Sequence, residues 1–316
     1  MRRGLAQSVA LALLLMASRA PAQVRPTDEK VPCRDYKDVL AVFDRLGYTQ
    51  QAWKAGIREV PRVYLEDIPD GWRERSSKSL SVADKTRLFF RVLGPIVLRI
   101  NELIAADRAR AKQITGRLLV GEGVTPDDQA WLGQLAVRYK LLKSADQRLD
   151  SELYPELLLR VDIVSPALSL AQAASESGWG GSRFAAEGNA LFGQWTWGKG
   201  LVPAEQRTSA HGDYRIASFG STAEAAYAYA LNLNSGDAYR DLRLKRAELR
   251  RENLRISGTV LAETLTRYSE RGQAYVEDIK SLIRQNQLDA ADDAYLRKMA
   301  VIHIVPAAGK PAQEPK

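Results

Sequence analysis

Twice this chain sets a hydroxyl residue directly before a proline and an apolar helical face, and that device commits it to helices. In Thr125-Pro126 and Ser165-Pro166 the hydroxyl can accept from an orphan amide of a first helical turn. Proline at the first helical position already has the required φ and lacks an N–H that would go unpaired there. Leu132, Leu135, Ala136 and Tyr139 supply the apolar face after the first device, and the second starts a helix that carries Glu176. Ser81-Val82-Ala83-Asp84 is a third start, like a capping box with aspartate at its third position. Leu88, Val92, Ile96, Ile100 and Leu103 then recur at helical spacing. Gly94-Pro95 inside that run predicts a kink or a split. Further helices are expected from Ser221 through Leu233, from about Gly258 to Tyr268 and from about Gln273 to Gln285. The fold class is therefore mainly α. Val60 to Leu65 reads as a short extended piece, and the glycine-rich stretch from Trp195 to Phe219 as a long loop or a small hairpin.

Cys33 is the only cysteine, so the 316-residue chain can form no internal disulfide and must rest on its own apolar core. Met1-Arg2-Arg3, the apolar run Leu5 to Met16 and Ala20-Pro21-Ala22 together read as a signal peptide over residues 1–22. That run is shorter than the roughly 20 apolar residues of a membrane span, and no later stretch could serve as an anchor of the mature chain. The expected localisation is periplasmic or otherwise exported. The expected organisation is a helical N-terminal region over 23–150, a second domain over 151–290 and a C-terminal tail over 291–316. Pro306 to Lys316, rich in proline, alanine and lysine, reads as disordered.

The formal charge is +8, and loss of Arg2, Arg3 and Arg19 with the leader leaves about +5. A basic exported protein suits an anionic polymer such as a cell wall. No zinc-ligand spacing or aromatic nucleic-acid motif accompanies the charge, so nucleic acid is not an expected partner. With two histidines, His211 and His303, no multi-histidine metal centre is expected, and no cofactor is implied.

The chemistry points to residues 165–280. Glu176 falls about ten residues into the Pro166 helix, in Ala173-Ala174-Ser175-Glu176-Ser177-Gly178-Trp179-Gly180, where glycine breaks the pattern. A carboxyl group at a helix end, walled by apolar and aromatic side chains, can keep its proton near neutral pH, because desolvation disfavours the charged form. Such a protonated acid is what glycosidic cleavage needs at the leaving oxygen. Thirteen residues on comes Asn189-Ala190-Leu191-Phe192-Gly193-Gln194, followed by Trp195 and Trp197 among glycines. Sugar rings present apolar faces to aromatic side chains, so Trp179, Phe192, Trp195 and Trp197 are candidate contacts. For Phe192 a core position is equally open; the glycines beside Trp195 and Trp197 favour exposure on a groove.

Ala171 to Gly180 followed by Asn189 to Gly193 resembles the signature of glycoside hydrolase family 73, the mannosyl-glycoprotein endo-beta-N-acetylglucosaminidase-like peptidoglycan glucosaminidases. Phe192-Gly193-Gln194-Trp195, Leu231 to Asn234 with Tyr239, and Tyr268 to Tyr275 are similar to its Bax-like branch, and the likeness covers roughly residues 60–285. The resemblance implies a lysozyme-like helical domain with a small hairpin, and cleavage of the β-1,4 bond after N-acetylglucosamine in peptidoglycan glycan strands. It implies Glu176 as general acid, with Trp179, Asn189, Phe192, Gln194, Trp195, Trp197, Tyr268 and Tyr275 around the substrate.

The chain departs from the family at the second carboxylate. Where members carry a hairpin glutamate, this chain reads Arg207-Thr208-Ser209-Ala210-His211-Gly212-Asp213-Tyr214. Asp213 is the nearest substitute and the second candidate catalytic residue, with Glu205 upstream; an acetamido sugar could instead supply its own carbonyl as nucleophile. Two other readings stay open: a lytic transglycosylase-like enzyme, which also works with one glutamate, and a non-catalytic wall-binding scaffold on a degenerate glycosidase fold.

Overall fold

The structure is a computed structural model that describes residues 28–66, 80–203 and 213–307; the expected leader, Glu205 and residues 207–212 lie outside that set. The chain is mainly α-helical, with seven short strands among the described residues. It divides into two compact units that interleave in sequence. One comprises residues 1–99, 170–226 and 293–316, the other 100–169 and 227–292. The division cuts through three helices, Val82–Leu119, Pro166–Ser177 and Thr222–Ser235.

The first unit holds all seven strands. β1 (Glu29–Cys33), β3 (Val63–Leu65) and β7 (Ile302–Pro306) form a parallel sheet with β7 in the centre. Ile302 pairs with Glu29 on one side and with Val63 on the other. β2 (Glu59–Val60) and β6 (Tyr295–Leu296) form a second parallel pair, and β4 (Trp195–Thr196) and β5 (Arg215–Ile216) an antiparallel hairpin. Within the expected C-terminal tail, residues 295–296 and 302–306 thus form strands. Ile302 and Ile304 are buried while His303 and Val305 are only partly covered, which is the period-two pattern of a half-buried strand. β-branched residues fit that pleated surface.

The long helix Val82–Leu119 is not split at Gly94-Pro95. Proline costs an interior helix about 3 kcal/mol through its missing N–H and its ring. Leu93, Ile96 and Val97 flank it and are all buried, and full burial of each such side chain contributes about 1.5–3 kcal/mol. Packing outweighs the local defect. Gly94 also leaves space for Tyr48, whose hydroxyl would lie 3.2 Å from a Cβ at that position.

The second unit is all helical apart from its loops and is pinned by two carboxylates, Asp162 buried and Asp292 partly buried. Asp162 receives Arg250 Nε and Nη2, each at 2.6 Å, with Arg246 and Arg108 at 3.7 and 3.8 Å. Burial pushes its carboxyl up, but the three guanidinium groups outweigh burial and hold it below the usual carboxylate range. Arg246 is itself buried and donates to the carbonyls of Leu159, Asp162 and Ile163 and to Asn234 Oδ1. These bonds fix the turn that leads into Ser165-Pro166. Asp292 then caps two helices at once. Its Oδ1 accepts from Ser165 Oγ at 2.6 Å and Ala167 N at 3.0 Å, and its Oδ2 from Gly258 N at 2.8 Å. Those groups open the helices Pro166–Ser177 and Gly258–Ala262, where orphan amides need an acceptor. Ser165 plays the expected cap as well, accepting from Leu168 N at 3.1 Å, and Thr125 does the same for Asp128 N.

Burial pushes Asp292 up to about 6, against the opposing pull of its three donors. A raised folded-state value means that the folded chain holds the proton more tightly than the unfolded chain. Stability from this group is therefore greatest below about pH 4 and is lost as pH rises through about 6, by up to about 3 kcal/mol. Asp292→Asn cannot titrate. Urea melts at pH 4 and pH 7 should show the stability of wild type relative to Asp292→Asn falling toward pH 7; a constant difference would refute this electrostatic account.

Candidate active site

Glu176 occupies the last turn of the helix Pro166–Ser177, as the sequence implies. Three consecutive residues with positive φ end that helix: Gly178 at 57°, Trp179 at 55° and Gly180 at 73°. Trp179 N donates to Ala174 O at 3.1 Å, so a freed carbonyl of the last turn is satisfied by the reversing chain. Ser177 locks the corner, donating Oγ–H to Ala173 O at 2.6 Å and accepting from Gly180 N at 2.8 Å. A half-buried carboxyl is thereby held at the C-terminal end of a helix, where the aligned peptide dipoles oppose negative charge.

The second signature segment folds back onto this carboxyl. The short helix Arg183–Gly188, capped by Ser182, ends on Asn189 in the left-handed conformation at φ 51°. Asn189 Nδ2 donates to Phe219 O at 3.2 Å, and Phe219 N donates to Gly188 O at 2.9 Å. Ala217 N donates to Gln194 O at 2.8 Å. These three bonds zip residues 188–194 to the strand that returns from the hairpin. The result is a close approach at Gly193: a Cβ placed there would lie 3.0 Å from Glu176 Oε2. Gly193 also has φ 58°, a conformation that favours glycine, and a Cβ there would make the Glu176 carboxyl shift.

Beside this corner the hairpin presents its aromatic residues. Trp195 and Trp197 are 40% and 54% exposed. Trp195 stacks on Tyr214 with ring centroids 4.3 Å apart and planes 25° apart. Tyr214 is an aromatic contact that the sequence pattern does not mark, since its segment stands out only for the carboxylate beside it. Asp213 precedes it, exposed, and makes no hydrogen bond or ion pair with any described residue. The structure therefore brings together Glu176, Gly193 and Gln194, with Trp179 three residues from the carboxyl, but gives no contact joining Asp213 to Glu176.

Two of the expected substrate contacts are buried. Phe192 is 2% exposed and Tyr275 is 3% exposed, so both are core side chains. The backbone turn at Gly193 sends Phe192 inward, and Tyr275 lies on the buried face of the helix Gln273–Gln285 with Val276, Ile279 and Ile283. Asn189 is buried too, and its amide serves the bond to Phe219. In the second unit Tyr268 stacks on Tyr275 at 5.3 Å and 11°, and Tyr239 lies against Tyr268 at 5.7 Å. Tyr268 is the partly exposed member of the expected pair. Among the described residues no group of three or more His, Cys, Asp and Glu side chains could hold a metal ion.

Residues 152–288 match the family model described as mannosyl-glycoprotein endo-beta-N-acetylglucosaminidase. The chain is 31% identical over 228 residues to Protein bax of Escherichia coli (strain K12), a match covering 68% of this chain and 78% of that protein. No solved structure matches the chain at a significant level.

The Gly193 contact makes a quantitative demand. Gly193→Ala should cost about 1–2 kcal/mol from the left-handed backbone alone, with a further displacement of the Glu176 side chain. Gly198→Ala, whose Cβ would meet only Thr196 Oγ1 at 3.6 Å, should be nearly silent. Thermal melts of the two variants test this, and equal effects would deny the close packing at Gly193.

Proposed function

The chain belongs to the Bax-like branch of the glucosaminidase family, a glycoside hydrolase family, and on that premise we propose that it is an exported peptidoglycan hydrolase. In this reading it acts in the periplasm or another wall-facing compartment and cuts the β-1,4 bond after N-acetylglucosamine. The observation that carries the proposal is the approach of the Gly193 backbone to the Glu176 carboxyl, so close that a Cβ on Gly193 would stand 3.0 Å from Oε2. It joins the two signature segments at one acidic oxygen.

Glu176 then acts as general acid. Its proton passes to the glycosidic oxygen as the bond to the anomeric carbon breaks and charge builds on the sugar ring. The helix end and the half-buried setting both disfavour negative charge, which suits a group that must hold its proton until the step. The positive ring needs a partner. Asp213 is one candidate, on a hairpin that carries the exposed tryptophans; the acetamido carbonyl of the substrate is the other, closing on the anomeric carbon from the opposite face. Trp195, backed by Tyr214, offers a rigid apolar platform for a sugar ring.

Glu176→Gln keeps the shape of the side chain and removes its acidic proton. It should retain the fold and wall binding while lowering hydrolysis by about 10²–10⁴-fold or more; turnover close to wild type would remove Glu176 from the mechanism.

The aromatic platform has its own test. Trp195→Ala should weaken binding of wall fragments by about 1–3 kcal/mol, with a smaller loss of stability than the roughly 3–5 kcal/mol of a core tryptophan. Normal fragment binding with easy unfolding would assign Trp195 to the core.

A further inference from the structure

Three guanidinium groups of the second unit converge on a single carboxylate oxygen. Asp162 Oδ2 has Arg250 Nε at 2.6 Å, Arg246 Nε at 3.7 Å and Arg108 Nη1 at 3.8 Å. Three cations thus surround one anion, an excess of two positive charges. Among the described residues no second carboxylate bonds or pairs with any of the three. Charges taken out of water are paired as a rule, so such an excess requires an explanation. Burial pushes Arg246 down to about 10, with Arg108 and Arg250 adding to the fall and Asp162 opposing it. Arg108 is lowered as well, again by burial first and then by Arg250, against Asp162. The hub is open on one side. Asp162 and Arg246 are buried, whereas the side chains of Arg108 and Arg250 are 22% and 38% exposed. Those two also hold the unused donors. Arg250 commits Nε and Nη2 to Asp162, and Arg108 commits Nη1 to the carbonyls of Leu158 and Val161. Arg250 Nη1 and Arg108 Nε and Nη2 make no hydrogen bond with a described residue, and the two Arg108 atoms are not buried.

We propose that the open side of this hub binds a phosphate dianion, held by Arg108 and Arg250. Guanidinium N–H groups form a rigid fork that matches phosphate oxygens, and charge-assisted bonds of this kind are short and strong. Two negative charges cancel the excess that Asp162 leaves, whereas a carboxylate or chloride cancels half of it. Free phosphate and the terminal phosphate of a sugar or glycerol ester present the same group. No bond to Asp162 has to break on entry, because the donors it uses are idle. Arg246, in the same hub, donates to the carbonyls of Asp162 and Ile163. A bound dianion relieves the repulsion among the three arginines and so steadies the turn from Asp162 to Ser165. The site lies wholly within the second unit and is independent of the glycan-hydrolase reading.

The test is calorimetric titration of the full-length protein with inorganic phosphate, glycerol 3-phosphate and acetate, at neutral pH and fixed ionic strength. The wild type and the variants Arg108→Gln and Arg250→Gln are used. Wild type should bind inorganic phosphate at one site, at least about 10-fold more tightly than acetate. Each variant should lose about 10- to 100-fold of that affinity, the range of one hydrogen bond between charged groups. Binding of both phosphates supports a site that admits a terminal ester, and binding of inorganic phosphate alone supports a site for the free ion. Arginines with a merely structural role would give lower melting temperatures and unchanged phosphate affinity, which overturns the proposal. If neither variant folds, hydrogen exchange of the wild type decides. Phosphate should then slow exchange at residues 158–165, and slowing confined to other segments overturns the proposal. So does the absence of phosphate binding, or acetate binding as tight as that of phosphate.

Discussion

The approach of the Gly193 backbone to the Glu176 carboxyl is the constraint on which the site depends. A carboxyl at the end of a helix is ordinarily solvated and chemically idle. Here the chain reverses through three left-handed residues, runs through a short helix, and returns a glycine to the acid. Each step is local and costly in conformation, and each is held by bonds that leave little freedom. Ser177 closes the first corner, Asn189 closes the second, and Gln194 O and Gly188 O anchor the returning strand. Catalysis in this proposal requires that geometry: a carboxyl confined on one side by backbone and open on the other to a sugar.

The start of the same helix is held by side chains as well. Asp292 gathers the first turns of two helices on one carboxyl, and Arg246 ties the preceding turn to three carbonyls. A cap of this kind defines where the helix begins, and so where Glu176 falls along it. The cost is a carboxyl whose burial opposes its charge. Asp162 shows the alternative solution, in which three arginines overcome the same penalty. The two acids differ because only Asp162 has guanidinium partners in contact.

Local signals are the legible ones in this sequence. Thr125 and Ser165 announce helix starts because a cap is a contact between residues three apart, and Gly178 announces the stop because few other residues reverse the chain there. Pairing at long range is less legible. β7 reads as part of a tail, since a five-residue strand beside a proline- and alanine-rich end gives little periodicity, and its partners lie more than two hundred positions earlier. Side-chain direction is the other blind spot. Phe192 and Tyr275 have the right chemistry for a sugar subsite, but type does not tell which way a loop or a helix face points. Tyr214 escapes for the opposite reason, since its role emerges only once Trp195 lies against it. The second catalytic group is a matter of substrate chemistry as well as of this chain, which is why Asp213 and the acetamido group stand as alternatives.

In the proposed function this corner cleaves glycan chains by hydrolysis after N-acetylglucosamine. Mass analysis of purified cell wall digested by the full-length protein tests it most directly. Hydrolysis at the proposed bond releases fragments that end in reducing N-acetylglucosamine, and these are the expected products, absent with Glu176→Gln. Fragments ending in anhydro-muramic acid, or wall bound without any fragments released, would contradict the account.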